Sequence, residues 1–424
     1  MKKRILNTVL CAVLALALTA SMAACGSAGK ESTPDTQTQP EKTEAAPAKT
    51  EPAGTAAEQP EPEKLMEVLD KDGKRLGAID ANSSCTAVDG GIFYSVLEMA
   101  EYAQTGTAYY HFFRAADGKD ILFGSLEDWG YEAAFARTEL DGVIYTLALE
   151  GNAFDDKQDT LWLLAFDPAA ETMTKYAVST DGFAYAAMAA ANGKLLIMNH
   201  ELNAAKCDKV YEFDPASGAV REVLSFPDDG KVSLRSVAAA EDGFYLLRLG
   251  ISGGMPEELF LDCYDSAYNL KDSQSLNSLL VPAAKELPGF EGEAEVLSEF
   301  GMSVGGFAVQ DGRYLFYENF GRIRVIIDLR AGEALFADED LWNMVHGGGE
   351  PGFYEIAFAP YGAGEGPRIV SLKDGKLESL PFSPADSRFF LQAVSRAADG
   401  TWLMRLADGA PAAMGEELLY LWTE

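Results

Sequence analysis

Two stretches match the Gly-x-Ser-x-Gly pattern that presents a nucleophilic serine, Gly250-Ile251-Ser252-Gly253-Gly254 and Gly301-Met302-Ser303-Val304-Gly305. A third, His346-Gly347-Gly348-Gly349, has the look of an oxyanion stretch. Together they would perform acyl transfer. That chemistry needs a strand, a sharp turn and a helix around the serine, with the oxyanion stretch earlier in the chain. No helical pattern follows either serine, and the His-Gly run comes after both. A chain with 40 glycines produces such matches easily, so all three read as loop glycines.

Metal chemistry has one candidate. Asp155, Asp156 and Asp159 present carboxylates close together, the hard oxygen donors that calcium takes. No other cofactor is expected. Asp70-Lys71-Asp72-Gly73 and Asp228-Asp229-Gly230 are fragments of a calcium-loop pattern and read as hairpin turns. With three histidines in the chain, no Cys or His spacing suggests zinc. Paired carboxylates for glycoside hydrolysis are abundant among 66 acids, and that abundance singles out none.

Charge narrows the partners. The formal net charge is −32, with 34 basic residues against 66 acidic ones. Such a chain is repelled by nucleic acid and by anionic membrane surfaces. Apolar content of 48% is that of a globular protein. The surplus acid is most simply a soluble, self-repelling surface, and a monomer is expected.

The elements that would position any site repeat along the chain. Short runs rich in Tyr, Phe, Leu, Ile and Val are split by Asx-Gly turns at Asp89-Gly90, Asp141-Gly142, Asn192-Gly193, Asp242-Gly243, Asp311-Gly312 and Asp399-Gly400. Their glycines are spaced 52, 51, 50, 69 and 88, and Pro351-Gly352 falls inside the last gap. Asx and Gly accept the positive φ of tight hairpins. A second signal follows several of these turns: a strand ending in Asp, then small residues, as in Phe166-Asp167-Pro168 and Phe213-Asp214-Pro215-Ala216-Ser217-Gly218. Weaker copies end at Asp328 and Asp374. Each unit is therefore four strands of about 50 residues, the signature of a β-propeller. Seven four-stranded blades are expected over 65–424, with six or eight as alternatives. Ring closure is expected to pair a strand near Arg75 to Ile79 with Leu418 to Trp422. The Phe-Asp-Pro-x-Ser/Thr-Gly flavour resembles the broad superfamily of quinoprotein-like and Kelch-like bacterial propellers, at the level of pattern. The recurrent tryptophan of quinoprotein blades is missing, and so is the Trp-Asp pair of Trp-Asp repeats.

In such a ring the tight turns share one face and the long connections share the other. Variable loops on a rigid scaffold are where binding usually sits. The expected binding face carries Trp129, Tyr131, Asp155, Asp156, Asp159, His200, Trp342, His346 and Tyr361. Aromatic rings beside carboxylates suit a sugar or a cationic ligand. For Trp129 and Trp342, packing between blades is the competing reading. An insertion from about Gln274 to Ser303 joins this face, with a short helix near Ser278 to Leu287.

The N-terminus carries an address. Lys2, Lys3 and Arg4 precede an apolar run from Ile5 to Leu18 and then small residues, the layout of a secretory signal over 1–24. Met22-Ala23-Ala24-Cys25-Gly26 resembles the lipobox of bacterial lipoproteins, with Met in place of the usual Leu. The resemblance implies cleavage before Cys25 and a diacylglycerol thioether on its sulfur. Two acyl chains make a stable anchor. Residues 26–64 hold six of the 18 prolines and no Val, Ile, Leu, Met, Phe, Trp or Tyr. With Cys25 they read as a disordered tether over 25–64, reaching on the order of 100 Å when stretched. Cys85, Cys207 and Cys263 are left, too few for a disulfide scaffold, and read as buried thiols.

Two functions are carried forward. The first is a lipid-anchored extracytoplasmic propeller that binds or scaffolds a protein or glycan at the cell envelope without catalysis of its own. The second is a propeller enzyme acting on glycans or cell-wall material through loop-face carboxylates.

Overall fold

The computed structural model describes residues 49–52, 64–81, 83–99, 106–131, 133–150, 160–180, 185–200, 207–227, 231–252, 255–285, 306–310, 312–319, 323–336, 344–346, 353–357, 368–373, 376–379, 389–397, 399–408 and 417–423.

The described residues form seven sheets, each built on a consecutive antiparallel meander and two of them extended by N-terminal strands, and the chain is a β-propeller. The N-terminal strands are β1 (Lys49–Pro52), β2 (Leu65–Leu69) and β3 (Arg75–Asp80). Blade 1 follows as β4 (Ser83–Val88), β5 (Gly91–Met99), β6 (Gly106–Arg114) and β7 (Lys119–Ser125), and then a single helical turn, α1 (Leu126–Trp129). Blade 2 is β8 (Ala133–Leu140), β9 (Val143–Glu150), β10 (Thr160–Asp167) and β11 (Thr172–Ser179). Blade 3 is β12 (Tyr185–Ala191), β13 (Lys194–His200), β14 (Cys207–Asp214) and β15 (Ala219–Pro227). Blade 4 is β16 (Val232–Ala240), β17 (Gly243–Ser252), β18 (Met255–Asp265) and β19 (Leu270–Ser275), followed by α2 (Asn277–Lys285). Blade 5 is β20 (Gly306–Gln310), β21 (Tyr314–Asn319), β22 (Ile323–Asp328) and β23 (Glu333–Phe336). Blade 6 is β24 (Met344–His346), β25 (Phe353–Ala357), β26 (Arg368–Lys373) and β27 (Lys376–Ser379). Blade 7 is β28 (Phe389–Arg396), β29 (Thr401–Asp408) and β30 (Glu417–Thr423), completed by β2 and β3.

The first strand of each blade is innermost. β8 touches β12, β12 touches β16, β16 touches β20, β24 touches β28 and β28 touches β4. All six Asx-Gly turns join a first strand to a second strand, as their chemistry requires. Asp141-Gly142 and Asn192-Gly193 have positive φ at both residues, the type I′ geometry that matches strand twist. The Asp-led turns between third and fourth strands are locked by their own carboxylates. Asp167 Oδ1 accepts from the Ala169 and Ala170 amides, Asp214 Oδ1 from Ala216, and Asp328 Oδ1 from Arg330 and Ala331.

Ring closure differs from the sequence expectation. The partner of β30 is β2, in parallel register with Glu67 opposite Leu418, and β3 is a fifth strand beyond it. Polarity explains the order. Met66 and Val68 of β2 are fully buried, whereas β3 carries Arg75 and Gly77 and suits the edge. The Asp70 turn between them is a hairpin in which Asp70 Oδ1 accepts from the Asp72 and Lys74 amides. Blade 2 also gains a strand, because β1 pairs antiparallel with β11. Residues 49–52 thus form a strand within the stretch expected to be tether.

The core is a set of layers between neighbouring blades. One layer joins blades 1 and 2 through Phe93, Phe112, Phe123, Leu164, Phe166 and Met173. Others join blades 7 and 1, 2 and 3, 3 and 4, and 4 and 5. A blade between two such layers has two buried faces, so its central strands lose the polar/apolar alternation; β9, Val-Ile-Tyr-Thr-Leu-Ala-Leu-Glu, is buried along six successive residues. Helix α2 matches the expected short helix. It buries Leu280 and Val281 against Leu259, Val325 and Ile327, and Asn277 ties it to β18 by accepting from the Leu259 amide.

Candidate functional site

The residues of the expected loop face are not assembled into one site among the described residues. Trp129 and Tyr131 are positioned by α1. Ser125 caps that turn by accepting from the Asp128 amide, and Gly130 closes it with φ 80°. The indole lies against Tyr110 and Phe166, with ring centroids 6.0 and 5.8 Å away. It also covers Gly124, where a Cβ would come within 2.7 Å of the ring. Tyr131 is buried against Trp162, with the Lys175 ammonium over its face. Both residues belong to the packing between blades 1 and 2. His200 lies between blades 3 and 4: its Nδ1 is 2.5 Å from the buried Asp208, whose other oxygen accepts from the Leu234 amide. His346 ends β24 opposite Phe353. Its side chain, together with Asp155, Asp156, Asp159, Trp342 and Tyr361, lies outside the described residues, as does Cys25. Ser252 closes β17 and the chain returns at once as β18, strand to strand, so the first serine match has no nucleophile elbow. Cys85 and Cys263 are free thiols, and burial raises the pKa of each.

A different constellation lies near the axis. β4 and β8, the first strands of blades 1 and 2, flank a cleft of about 150 Å³ lined by Thr86, Arg137, Thr138, Glu139 and Ile144 among others. A larger, open groove of about 360 Å³ between blades 7 and 1 is lined by Leu76, Ala115, Thr401, Leu421 and Trp422, and no charged side chain lines it. Convergent polar groups mark a ligand site better than volume does, which favours the smaller cleft.

Local backbone geometry aims the arginine. The register of β8 against β9 shifts between Phe135 and Arg137, leaving Ala136 as a bulge with φ 47°. Left-handed backbone at a residue with a Cβ is strained, and bulges near sites re-aim side chains. The Arg137 guanidinium lies 4.7 Å from the centroid of the buried Phe93 ring. Arg137 is open to water, yet the surrounding ring is deep enough that desolvation pulls its pKa down. No carboxylate among the described residues pairs with it. The neighbouring Tyr110 hydroxyl is pushed up to about 12 by burial.

Glu139, two residues on, is 5% exposed. Its Oε1 accepts from the Asp89 amide at 2.9 Å, and its Oε2 has no hydrogen-bond partner. Burial, with Asp89 and Asp399 as nearby like charges, lifts its pKa from the ordinary 4.5 to about 8. The turns carrying those aspartates are stitched together. Asp399 Oδ2 accepts from the Gly90 amide and Asp89 Oδ1 from the Asp399 amide. The closure of blade 7 on blade 1 is thereby coupled to the floor of the cleft.

Neither Arg137 nor Glu139 is among the residues of the expected loop face. One signal was available. In Ala133-Ala134-Phe135-Ala136-Arg137-Thr138-Glu139-Leu140, two opposite charges two residues apart interrupt a strand that elsewhere in the ring reads Tyr-Ala-Ala-Met-Ala-Ala-Ala.

No family model matches the chain, and no curated protein matches it. Solved structures are similar at low identity. The β-propeller domain of the Trilobed protease from Pyrococcus furiosus has 9% identity and a TM-score of 0.40, covering 69% of this chain and 81% of that one. The Pyrococcus horikoshii acylaminoacyl peptidase has 9% identity and a TM-score of 0.41, over 82% of this chain and 59% of the peptidase. The β-propeller domain of Myceliophteria thermophila Cps50 (Swd1) has 11% identity and a TM-score of 0.35, over 68% of this chain and 86% of that one. Nothing about activity follows from these similarities.

Proposed function

We propose that the chain is a lipid-anchored, extracytoplasmic propeller that binds a ligand or partner at the cell envelope. The observation that carries this reading is the order of segments. A charged and apolar leader ends at Met22-Ala23-Ala24-Cys25, 39 residues without a large apolar side chain follow, and a β-propeller comes next. A leader of that kind addresses export, a diacylated cysteine holds the outer leaflet, and a polar tether sets the ring away from it. Propellers present rigid surfaces, which suits recognition.

Two measurements test it. Metabolic labelling with a fatty-acid analogue should mark the wild-type chain and leave Cys25→Ala unlabelled and released from membranes; equal labelling of both would overturn the anchor. Thermal unfolding of the full chain with cell-wall and glycan fragments should reveal a stabilising ligand, because whatever binds only the folded state raises Tm.

Hydrolysis of glycans gains one specific support, the raised pKa of Glu139, as a general acid requires. The acids beside Glu139 are engaged in the turns: Asp399 accepts from the Gly90 and Thr401 amides through its two oxygens, and Asp89 Oδ1 accepts from the Asp399 amide. Binding is the better reading.

A further inference from the structure

The innermost strands invert the charge of the molecule. Across β4, β8, β12, β16, β20, β24 and β28 the charged residues are three arginines, Arg137, Arg235 and Arg396, and one acid, Glu139. The whole chain has nearly twice as many acids as bases. The lone acid is buried with a raised pKa, so the inner strands themselves carry a surplus of arginine, with the acids Asp89 and Asp399 set in the turns beside Glu139.

From this we propose that the cleft between β4 and β8 is a binding site for a small carboxylate, held by the Arg137 guanidinium at one end and by the free Oε2 of Glu139 at the other. This deepens the binding reading at one place, and a scaffold acting through its loop face would survive its failure.

Four observations converge. First, Arg137 faces the cleft with Phe93 beneath it and no counter-ion among the described residues, although acids abound. A water-exposed guanidinium that no carboxylate holds is free to take one, and a carboxylate matches its planar fork through two parallel hydrogen bonds. Second, the Glu139 Oε2 is buried with no partner, which costs about 1–3 kcal/mol unless something completes it. In the protonated acid this oxygen carries the hydrogen and donates to an oxygen of the ligand. Third, Ala136 is held at φ 47° in the bulge that sets the direction of Arg137; inner-strand bulges recur in β16 and β28, but among the described residues Ala136 is the one bulge residue with positive φ. Fourth, the cleft of about 150 Å³ has room for a molecule of a few non-hydrogen atoms. One guanidinium beside a neutral acid matches a monoanion better than a phosphate dianion. Hydroxy acids and amino acids share the chemistry; the amino group of the latter would turn toward Asp89 and Asp399.

The test is calorimetric titration of the purified full chain with lactate, with alanine and with inorganic phosphate at pH 6.5. Saturable binding of lactate or alanine, with phosphate at least tenfold weaker, is expected. Lactate alone identifies hydroxy acids and alanine alone identifies amino acids. Arg137→Gln should weaken binding about 10- to 100-fold, the loss of a charged hydrogen-bonding partner. Arg137→Lys, which keeps the charge and loses the fork, should weaken it less. Glu139→Gln carries a donor that cannot ionise and is read by the pH dependence of its affinity rather than by its affinity at one pH.

A pH profile separates this from a merely structural role. The charged groups facing Glu139 are Asp89 from the β4–β5 turn and Asp399 from the β28–β29 turn, with Arg137 on its own strand. Wild-type affinity should fall as pH rises through about 8, where Glu139 loses its proton, and Glu139→Gln should remove that fall. Three results would overturn the proposal: no heat with lactate or alanine, phosphate binding as tightly as either, or Arg137→Gln binding like wild type. Should Arg137→Gln not fold, the Arg137→Lys affinity and the Glu139→Gln pH profile decide.

Discussion

The outer strands and the Arg137–Glu139 segment of inner strand β8 treat charge in opposite ways. In the outer strands and turns, basic groups find carboxylates. Arg248 forks onto Asp262, Arg313 onto Asp328, Arg221 reaches Glu212, Arg405 reaches Glu417, and Lys194 reaches Asp214. Asp262 and Asp328 are almost fully buried, and Ser273 completes the first pair by donating to Asp262. In the inner ring Arg137 has Phe93 and no carboxylate, and Glu139 has an orphan oxygen. Scarcity of acids cannot explain this in a chain carrying 66 of them. The difference teaches that the outer charges fasten neighbouring strands, whereas Arg137 and one oxygen of Glu139 are left available.

Substitutions sharpen the contrast. The largest effect belongs to the packing layer outside the cleft. Phe166 is fully buried and touches Phe93, Tyr110, Phe123 and Trp129. Phe166→Ala should cost about 4 kcal/mol by chemical denaturation, the sum of lost transfer and a cavity. Next come the arginines. Arg248→Gln strands a buried carboxylate and should cost about 3 kcal/mol, whereas Arg137→Gln should cost less than about 0.5 kcal/mol without ligand, because no partner is abandoned. Equal losses at the two sites would erase the distinction.

Glu139 gives a smaller effect with a definite sign. Its folded pKa, about 8, is above the ordinary 4.5, so the folded state holds the proton more tightly. Stability from this group is full below pH 4.5, falls as pH rises, and is lost above about 8. A decline on the order of 2 kcal/mol over that window is expected after allowing for water entering the cleft. Glu139→Gln should flatten it in pH-dependent unfolding curves. Smallest is Ala136→Gly, which relieves left-handed strain and should raise stability by about 1 kcal/mol in denaturant titrations.

Much of the ring was legible because it is local. Asx-Gly pairs specify hairpins through φ alone, and six of them fall between first and second strands. The Asp-led turns, read at Asp167, Asp214, Asp328 and Asp374, likewise fall between third and fourth strands. The short helix of the insertion was visible from its composition. Closure was harder. The strand near Arg75 to Ile79 was read as the closing one, and only the burial of Met66 and Val68 against Leu419 and Leu421 shows that β2 lies inside it. The cleft was out of reach for a related reason. Thr86, Glu139 and Asp399 come from three blades, and nothing in their separate neighbourhoods marks them. The curvature of the ring brings them together, and an orphan oxygen is visible only once its surroundings are known.

The most direct test of this charge inversion is a carboxyl carbon-13 titration of the full chain labelled at glutamate, with the Glu139→Gln spectrum assigning the Glu139 signal. A midpoint near 8 in the ligand-free protein is predicted. A midpoint near 4.5, the ordinary glutamate value, would mean that Glu139 is ionised and satisfied at neutral pH, and the inner ring would hold no available site.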